Sequence, residues 1–205
     1  MKILVLSDIH SDYVAARSAY DVENPDFVLD CGDHQEVKNL FELTPHFYIF
    51  GNHEPSTIYT PLDGMPVPVK IPSGVILCLK KNDLEVRVAG IDGNYAKKSR
   101  THVVDQCGID KLKSIPKGGV DIILTHESPL LVSENSDYRS LAKKVISEIE
   151  RINPCRFFSG HYNNFMDSLK TPKGIKNIVL DDMAKGYCLL DGETLEVTRK
   201  RARFR

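Results

Sequence analysis

Ile3-Leu4-Val5-Leu6-Ser7-Asp8-Ile9-His10 starts the chain with four consecutive apolar residues that run straight into a carboxylate and an imidazole. A continuous apolar run of this length suits a strand buried on both faces, as in a parallel sheet covered by helices, so a strand and then a polar loop are predicted. The helix predicted next is capped by Ser11 or Asp12, has Val14, Ala15, Ala16 and Ala19 on its apolar side, and stops at Asn24-Pro25. The same unit then recurs. Phe27-Val28-Leu29 leads to Cys31-Gly32-Asp33, a short helical stretch surrounds Val37, Leu40 and Phe41, and Phe47-Tyr48-Ile49-Phe50 ends in Gly51-Asn52-His53. Strand, polar loop and helix in alternation imply an α/β architecture with parallel early strands and every polar loop at a strand's carboxyl end.

The middle of the chain changes character. Val69 to Ile71, Val75 to Leu79 and Glu85 to Ala89 read as strands, with Lys81-Asn82-Asp83 as a hairpin turn, and a helix is expected near Ile109 to Ile115. The opening pattern returns where Ile122-Ile123-Leu124 enters Thr125-His126. A helix with apolar positions 138, 141, 142, 145, 149 and 152 then runs to Asn153-Pro154, and Arg156-Phe157-Phe158 enters Ser159-Gly160-His161. Ile178 to Leu180, Tyr187 to Leu190 and Leu195 to Thr198 read as closing strands, with Asp191-Gly192-Glu193 as a turn. No linker, repeat or low-complexity stretch interrupts the pattern, so a single domain over residues 1–205 is expected.

Composition excludes several classes. With 27 Lys plus Arg against 28 Asp plus Glu, the chain is not one whose main task is to coat nucleic acid or an anionic membrane. Cys31, Cys78, Cys107, Cys155 and Cys188 are odd in number and scattered, which fits reduced thiols, read mostly as small core residues, better than a disulfide framework. The apolar run before Ser7 is too short for a signal peptide and no stretch reaches transmembrane length, so a cytoplasmic protein is expected.

The residues that end the five apolar strands are Asp8 and His10, Asp33, Asn52 and His53, His126, and His161. Any one has an ordinary explanation, since an Asp after a strand often caps a helix and a lone His often satisfies a core hydrogen bond. Five together are harder to set aside, because the carboxyl ends of strands in an α/β sheet converge on one crevice. Mixed carboxylate, imidazole and amide donors suit Mn, Fe, Zn, Ni or Co, whereas an all-oxygen set suits Mg or Ca. Seven donors exceed one tetrahedral site, so two ions sharing a carboxylate are expected.

Asp8-Ile9-His10, Gly32-Asp33, Gly51-Asn52-His53-Glu54, Thr125-His126 and Gly160-His161-Tyr162-Asn163 resemble, in order, the motif series of the calcineurin-like metallophosphoesterases. The resemblance implies a four-layer α-β-β-α sandwich of two mixed sheets flanked by helices. It also implies that Asp8 and His10 hold one metal, Asp33 bridges, and Asn52, His126 and His161 hold the second, with Asn52 and His53 facing the substrate phosphate. The family's last motif carries a second histidine where this chain has Asn163. An amide oxygen is the weaker donor, so the Asp8–His10 site is expected to bind its ion less tightly. Neighbouring His34 has a supporting or surface role in this reading, and Glu54 either orients His53 or is solvated.

The expected activity is hydrolysis of a small phosphoester, a diester rather than a monoester, by in-line attack of a metal-bridging hydroxide. His53 would stabilise the phosphate or protonate the leaving oxygen. The alternatives are a phosphomonoesterase or protein phosphatase, or a non-catalytic scaffold of the same fold, similar to the retromer subunit, with an eroded metal site. The loop with Tyr95, Lys97, Lys98, Arg100 and His102 is read first as a solvated loop and second as a pocket rim, and Pro129 to Val132 form a further candidate rim. The basic tail Arg199 to Arg205 is read as a frayed or edge-protecting terminus, and nucleic acid is not the favoured partner.

Overall fold

The opening run forms β1 (Lys2–Leu6), in which Ile3, Leu4, Val5 and Leu6 are wholly buried, as expected of a central strand. The computed structural model describes residues 1–10, 12–34, 44–54, 68–95 and 102–202. The helix expected around Val37, Leu40 and Phe41 lies outside these residues, as do Lys97, Lys98, Arg100 and the tail beyond Ala202. After β1 come α1 (Tyr13–Glu23), β2 (Phe27–Asp30), β3 (His46–Tyr48), β4 (Val69–Lys70), β5 (Leu77–Lys81) and β6 (Leu84–Ile91). They are followed by α2 (Gln106–Leu112), β7 (Ile122–Thr125), α3 (Arg139–Ile152), β8 (Arg156–Ser159), β9 (Asn177–Val179), β10 (Gly186–Asp191) and β11 (Val197–Arg201).

Two mixed sheets result. The six-stranded sheet has the order β11-β10-β1-β2-β3-β4, with β1 to β4 parallel and β10 and β11 antiparallel. The five-stranded sheet has the order β5-β6-β7-β8-β9, parallel except for β5. Strand alternation sends Val5 and Leu29 from the first sheet against Val88, Leu124 and Phe158 from the second, so the main core lies between the sheets. The opposite faces are covered by helices: Leu4, Leu6 and Val28 pack on Ala15, Ala16 and Ala19 of α1. Ala89, Ile123 and Phe157 pack on Ile109 of α2 and on Val145 and Ile149 of α3. The architecture is the α-β-β-α sandwich that the sequence motifs implied.

Local chemistry sets the element ends. Asp12 Oδ1 accepts from Ala15 N at 3.1 Å to cap α1, and Asn24 and Asn153 close α1 and α3 in the left-handed conformation. Three expectations are corrected. Val14 is 73% exposed, because the stripe of α1 that faces the sheet is only as wide as its three alanines. β3 stops at Tyr48 and not at Phe50, since Phe50 N–H donates to the Asp92 carboxylate at 2.8 Å instead of to a neighbouring strand. Only Cys31 and Cys188 are core thiols, whereas Cys78, Cys107 and Cys155 are exposed. Among the described residues, no helix is long and apolar enough to cross a membrane.

Candidate metal centre

The five strand ends meet at one rim of the sandwich, but they come from both sheets: β1, β2 and β3 from the first, β7 and β8 from the second. Within the first sheet, Asp8 N donates to Gly32 O (2.9 Å) and His10 N to Asp33 O (2.8 Å). Across the gap, His161 N donates to Asp8 Oδ2 at 2.8 Å. Asp8, His10, Asp33, His161 and Asn163 all have positive φ, from +45° to +71°, a region that costs non-glycine residues roughly 1–3 kcal/mol each. Strain concentrated on one cluster marks a place where side-chain direction matters more than backbone comfort. Two glycines make room for it. A Cβ on Gly160 would stand 1.8 Å from Ser7 Oγ and 2.4 Å from Asp8 Oδ2, and one on Gly51 would stand 2.1 Å from Asp33 Oδ1.

The donor atoms fall into two groups, Asp8 with His10 and Asp33, and Asp33 with His126 and His161, each lying within 4.8 Å of one another. Asp33 belongs to both. Asp8 Oδ2 already accepts from Ser7 Oγ (2.6 Å) and from His161 N, which leaves Oδ1, 3.6 Å from His10 Nε2, as the free donor. His126 is wholly buried, and its Nδ1 stands 2.9 Å from the Cys31 carbonyl. A carbonyl only accepts, so Nδ1 carries the hydrogen and Nε2 is the atom turned to Asp33 Oδ2 (3.4 Å) and Asn52 Oδ1 (3.0 Å). That is the arrangement in which a protein holds an imidazole for a metal, and the donor set fits a divalent transition ion. His53 is exposed, with its ring edge-on to His10 at 5.4 Å and its backbone N–H donating to Asp33 Oδ1 at 2.8 Å. Asn163 is exposed, and its backbone carbonyl accepts from Lys185 Nζ at 2.7 Å.

Electrostatics in the ion-free chain follow from this packing. Burial pulls the His126 pKa down, but the hydrogen bond and charge of Asp33, then the charges of Asp8 and Glu54, push it up to about 10. Burial works against the Asp33 carboxylate, yet His126 and the His53 N–H hold it well below the usual range. Burial also raises Asp8 and, with the neighbouring His126 charge, lowers His161, which is thereby kept as a neutral donor. A metal held by His126 would need its unprotonated Nε2, so binding would release that proton at any pH below about 10, and affinity would rise with pH. Manganese titrations on either side of neutrality should show the dissociation constant falling by up to about tenfold per pH unit; an unchanged constant would contradict the His126 assignment.

The sequence profile of the calcineurin-like phosphoesterases matches residues 1–164. The chain belongs to that family. A probable metallophosphoesterase of Mycoplasma pneumoniae is 36% identical over 53 residues, 26% of this chain and 33% of that relative, so the match spans about a third of the relative's length. Among solved structures, TT1561 of Thermus thermophilus superimposes with a TM-score of 0.65 at 15% identity, over 98% of this chain and 99% of that one. GAP50 of Plasmodium, described as the anchor in the inner membrane complex, gives 0.61 at 10% identity, over 100% and 89%. At such identities these likenesses show the shared fold.

Behind the site lies a buried layer in which the sequence reading named Glu54 and His34 but not Asp30 or His46. Glu54 is buried and neither solvated nor bonded to the His53 ring: its Oε1 accepts from Asp33 N and from His34 N (3.3 Å). His34 is buried too, its Nδ1 lying 3.3 Å from Glu54 Oε1 and 3.6 Å from Asp30 Oδ2, which also faces His46 Nε2 at 3.4 Å. This layer sits directly behind Asp33 and secures its backbone. Of the rim candidates, Tyr95 is buried, His102 stacks on Phe50 at 4.2 Å, and Val132 and Leu130 pack into the core under α3. Arg199 pairs with Asp181 at 2.6 Å on the edge strand β11.

Proposed function

We propose that the protein is a dinuclear metal-dependent phosphodiesterase acting on a nucleotide or other small phosphoester. The observation that carries this reading is the membership of Asp33 in both groups of donor atoms, the geometry of a carboxylate shared between two ions. Asp8, His10 and Asp33, with Asn163, are the residues for one ion, and Asp33, Asn52, His126 and His161 for the other, with Mn, Fe, Zn, Ni or Co as the fitting metals. Such ions, when bound, would acidify the attacking water and draw charge from the phosphoryl oxygens. Asn163 in place of an imidazole makes the Asp8–His10 site the weaker one.

The chain's own groups do the rest. Asn52 and His53 meet the substrate phosphate, and the exposed His53 ring supplies a proton to the leaving oxygen. His53, Asn52 and Asn163 are an imidazole and two amides, a set suited to the single charge of a phosphodiester more than to the double charge of a monoester. Against a scaffold role stands the strain held at Asp8, His10, Asp33 and His161, which partner binding alone gives no reason to retain. The deciding experiment compares hydrolysis of bis-p-nitrophenyl phosphate and p-nitrophenyl phosphate with added manganese or nickel. The diester should turn over faster. Faster monoester hydrolysis would reverse the substrate class, and turnover of neither with any metal would favour the scaffold.

A further inference from the structure

His126 and His161 are each followed in the chain by a residue that bonds to its counterpart. Glu127 follows His126, Tyr162 follows His161, and the Tyr162 hydroxyl donates to Glu127 Oε1 at 2.9 Å. The other carboxylate oxygen, Oε2, accepts the backbone N–H of Tyr95, so one side chain ties together the segments that leave β6, β7 and β8. Glu127 is only 8% exposed, so its direction is fixed by these two donors rather than by water. The Tyr162 ring lies edge-on to the His161 ring at 5.3 Å, and His161 in turn lies edge-on to His126 at 5.1 Å. His161 itself stands at φ +71°, a conformation that a non-glycine residue keeps only when its surroundings impose it.

We infer that the Tyr162–Glu127 bond is a positioning clamp, which fixes the His161 ring against His126 so that both imidazoles present their donor atoms to the same ion. Neither residue touches substrate or metal in this account. The inference rests on the metal-centre reading above. The clamp acts by orientation and not by charge, and this separates it from a simple acidic neighbour that attracts cations.

Calorimetric titration of the ion-free full chain with manganese alone tests the clamp. Tyr162→Phe removes only the hydroxyl, and Glu127→Ala removes both acceptors. Both should raise the dissociation constant of the tighter ion by about 10–100-fold. Glu127→Gln is the conservative rescue, because its amide oxygen can accept from Tyr95 N while its NH2 donates to the Tyr162 oxygen, and it should retain most of the affinity. Tyr187→Phe is the matched control. Tyr187 donates to Glu23 Oε1 at 3.0 Å under α1, a bond of the same kind, and its loss should lower the melting temperature while leaving the metal constant unchanged. Unaltered affinity in Tyr162→Phe would overturn the clamp, as would a Glu127→Gln protein as weak as Glu127→Ala, since charge would then be what matters. If the unsubstituted chain took up no metal at all, the metal-centre reading would fall first and the clamp with it.

Discussion

Asp33→Ala should abolish tight metal binding and hydrolysis together, with a loss of turnover at or beyond the upper end of the roughly 10²–10⁴-fold range typical of a single acid–base group. Asp33 is the one carboxylate common to both groups of donors, so its removal takes a ligand from each. The fold should survive. Removing one partner of a buried ion pair costs roughly 3–5 kcal/mol when the other charge is stranded, but His126 is not stranded. With Asp33 gone, burial is the largest remaining influence on His126 and favours its neutral form, so it can shed its proton. Asp33→Asn provides a check in which the side-chain oxygen that accepts the His53 N–H is kept. It should remain folded and still lose the tight ion. Metal counting by calorimetry and elemental analysis reads both results. The unsubstituted chain should hold one ion tightly and a second only at higher metal concentration. Two equally tight ions would contradict the ranking of the sites, and an Asp33→Ala protein with full metal content would remove Asp33 from the centre.

Strand ends were legible because their signal is local. A buried parallel strand needs an unbroken apolar run, and the residue at its end announces itself as the first polar group after that run; hence Asp8, Asp33, His126 and His161 could be named before any geometry was known. The four layers were implied by the family resemblance of the motif series, with which the change from α/β units to hairpins agrees. Two kinds of feature were not legible. Pairs that meet across long separations, such as Tyr162 with Glu127 or His46 with Asp30, leave no mark at either position, since each residue alone reads as an ordinary polar one. Faces were misjudged where burial depends on what lies opposite: Val14 follows the helical apolar pattern yet points to solvent, and Tyr95 sits in a charge-rich segment yet is buried. The convergence itself was expected within one sheet. It is built instead by two sheets meeting at a common rim, with His161 N bonded to Asp8 Oδ2 across the divide.

His53→Ala separates chemistry from metal binding more cleanly than any change at a buried ligand. The imidazole is exposed, and the bond that ties residue 53 to the centre runs from its backbone N–H to Asp33 Oδ1, which alanine keeps. Truncation removes an edge-on contact with the His10 ring and nothing from the donor groups that include Asp33. Stability should therefore change by no more than about 0.5 kcal/mol, as for most surface substitutions. Metal affinity should be retained, while kcat for a diester that releases a weakly acidic alcohol should fall by roughly 10²–10⁴-fold, because protonation of the leaving oxygen then depends on water. A leaving group that needs no proton provides the internal control: the more acidic the alcohol released, the smaller the loss should become. If His53→Ala hydrolysed poor and good leaving groups with undiminished kcat, the proton would have to come from elsewhere. If the loss were equal for both, His53 would act on the phosphate itself and not on the departing oxygen.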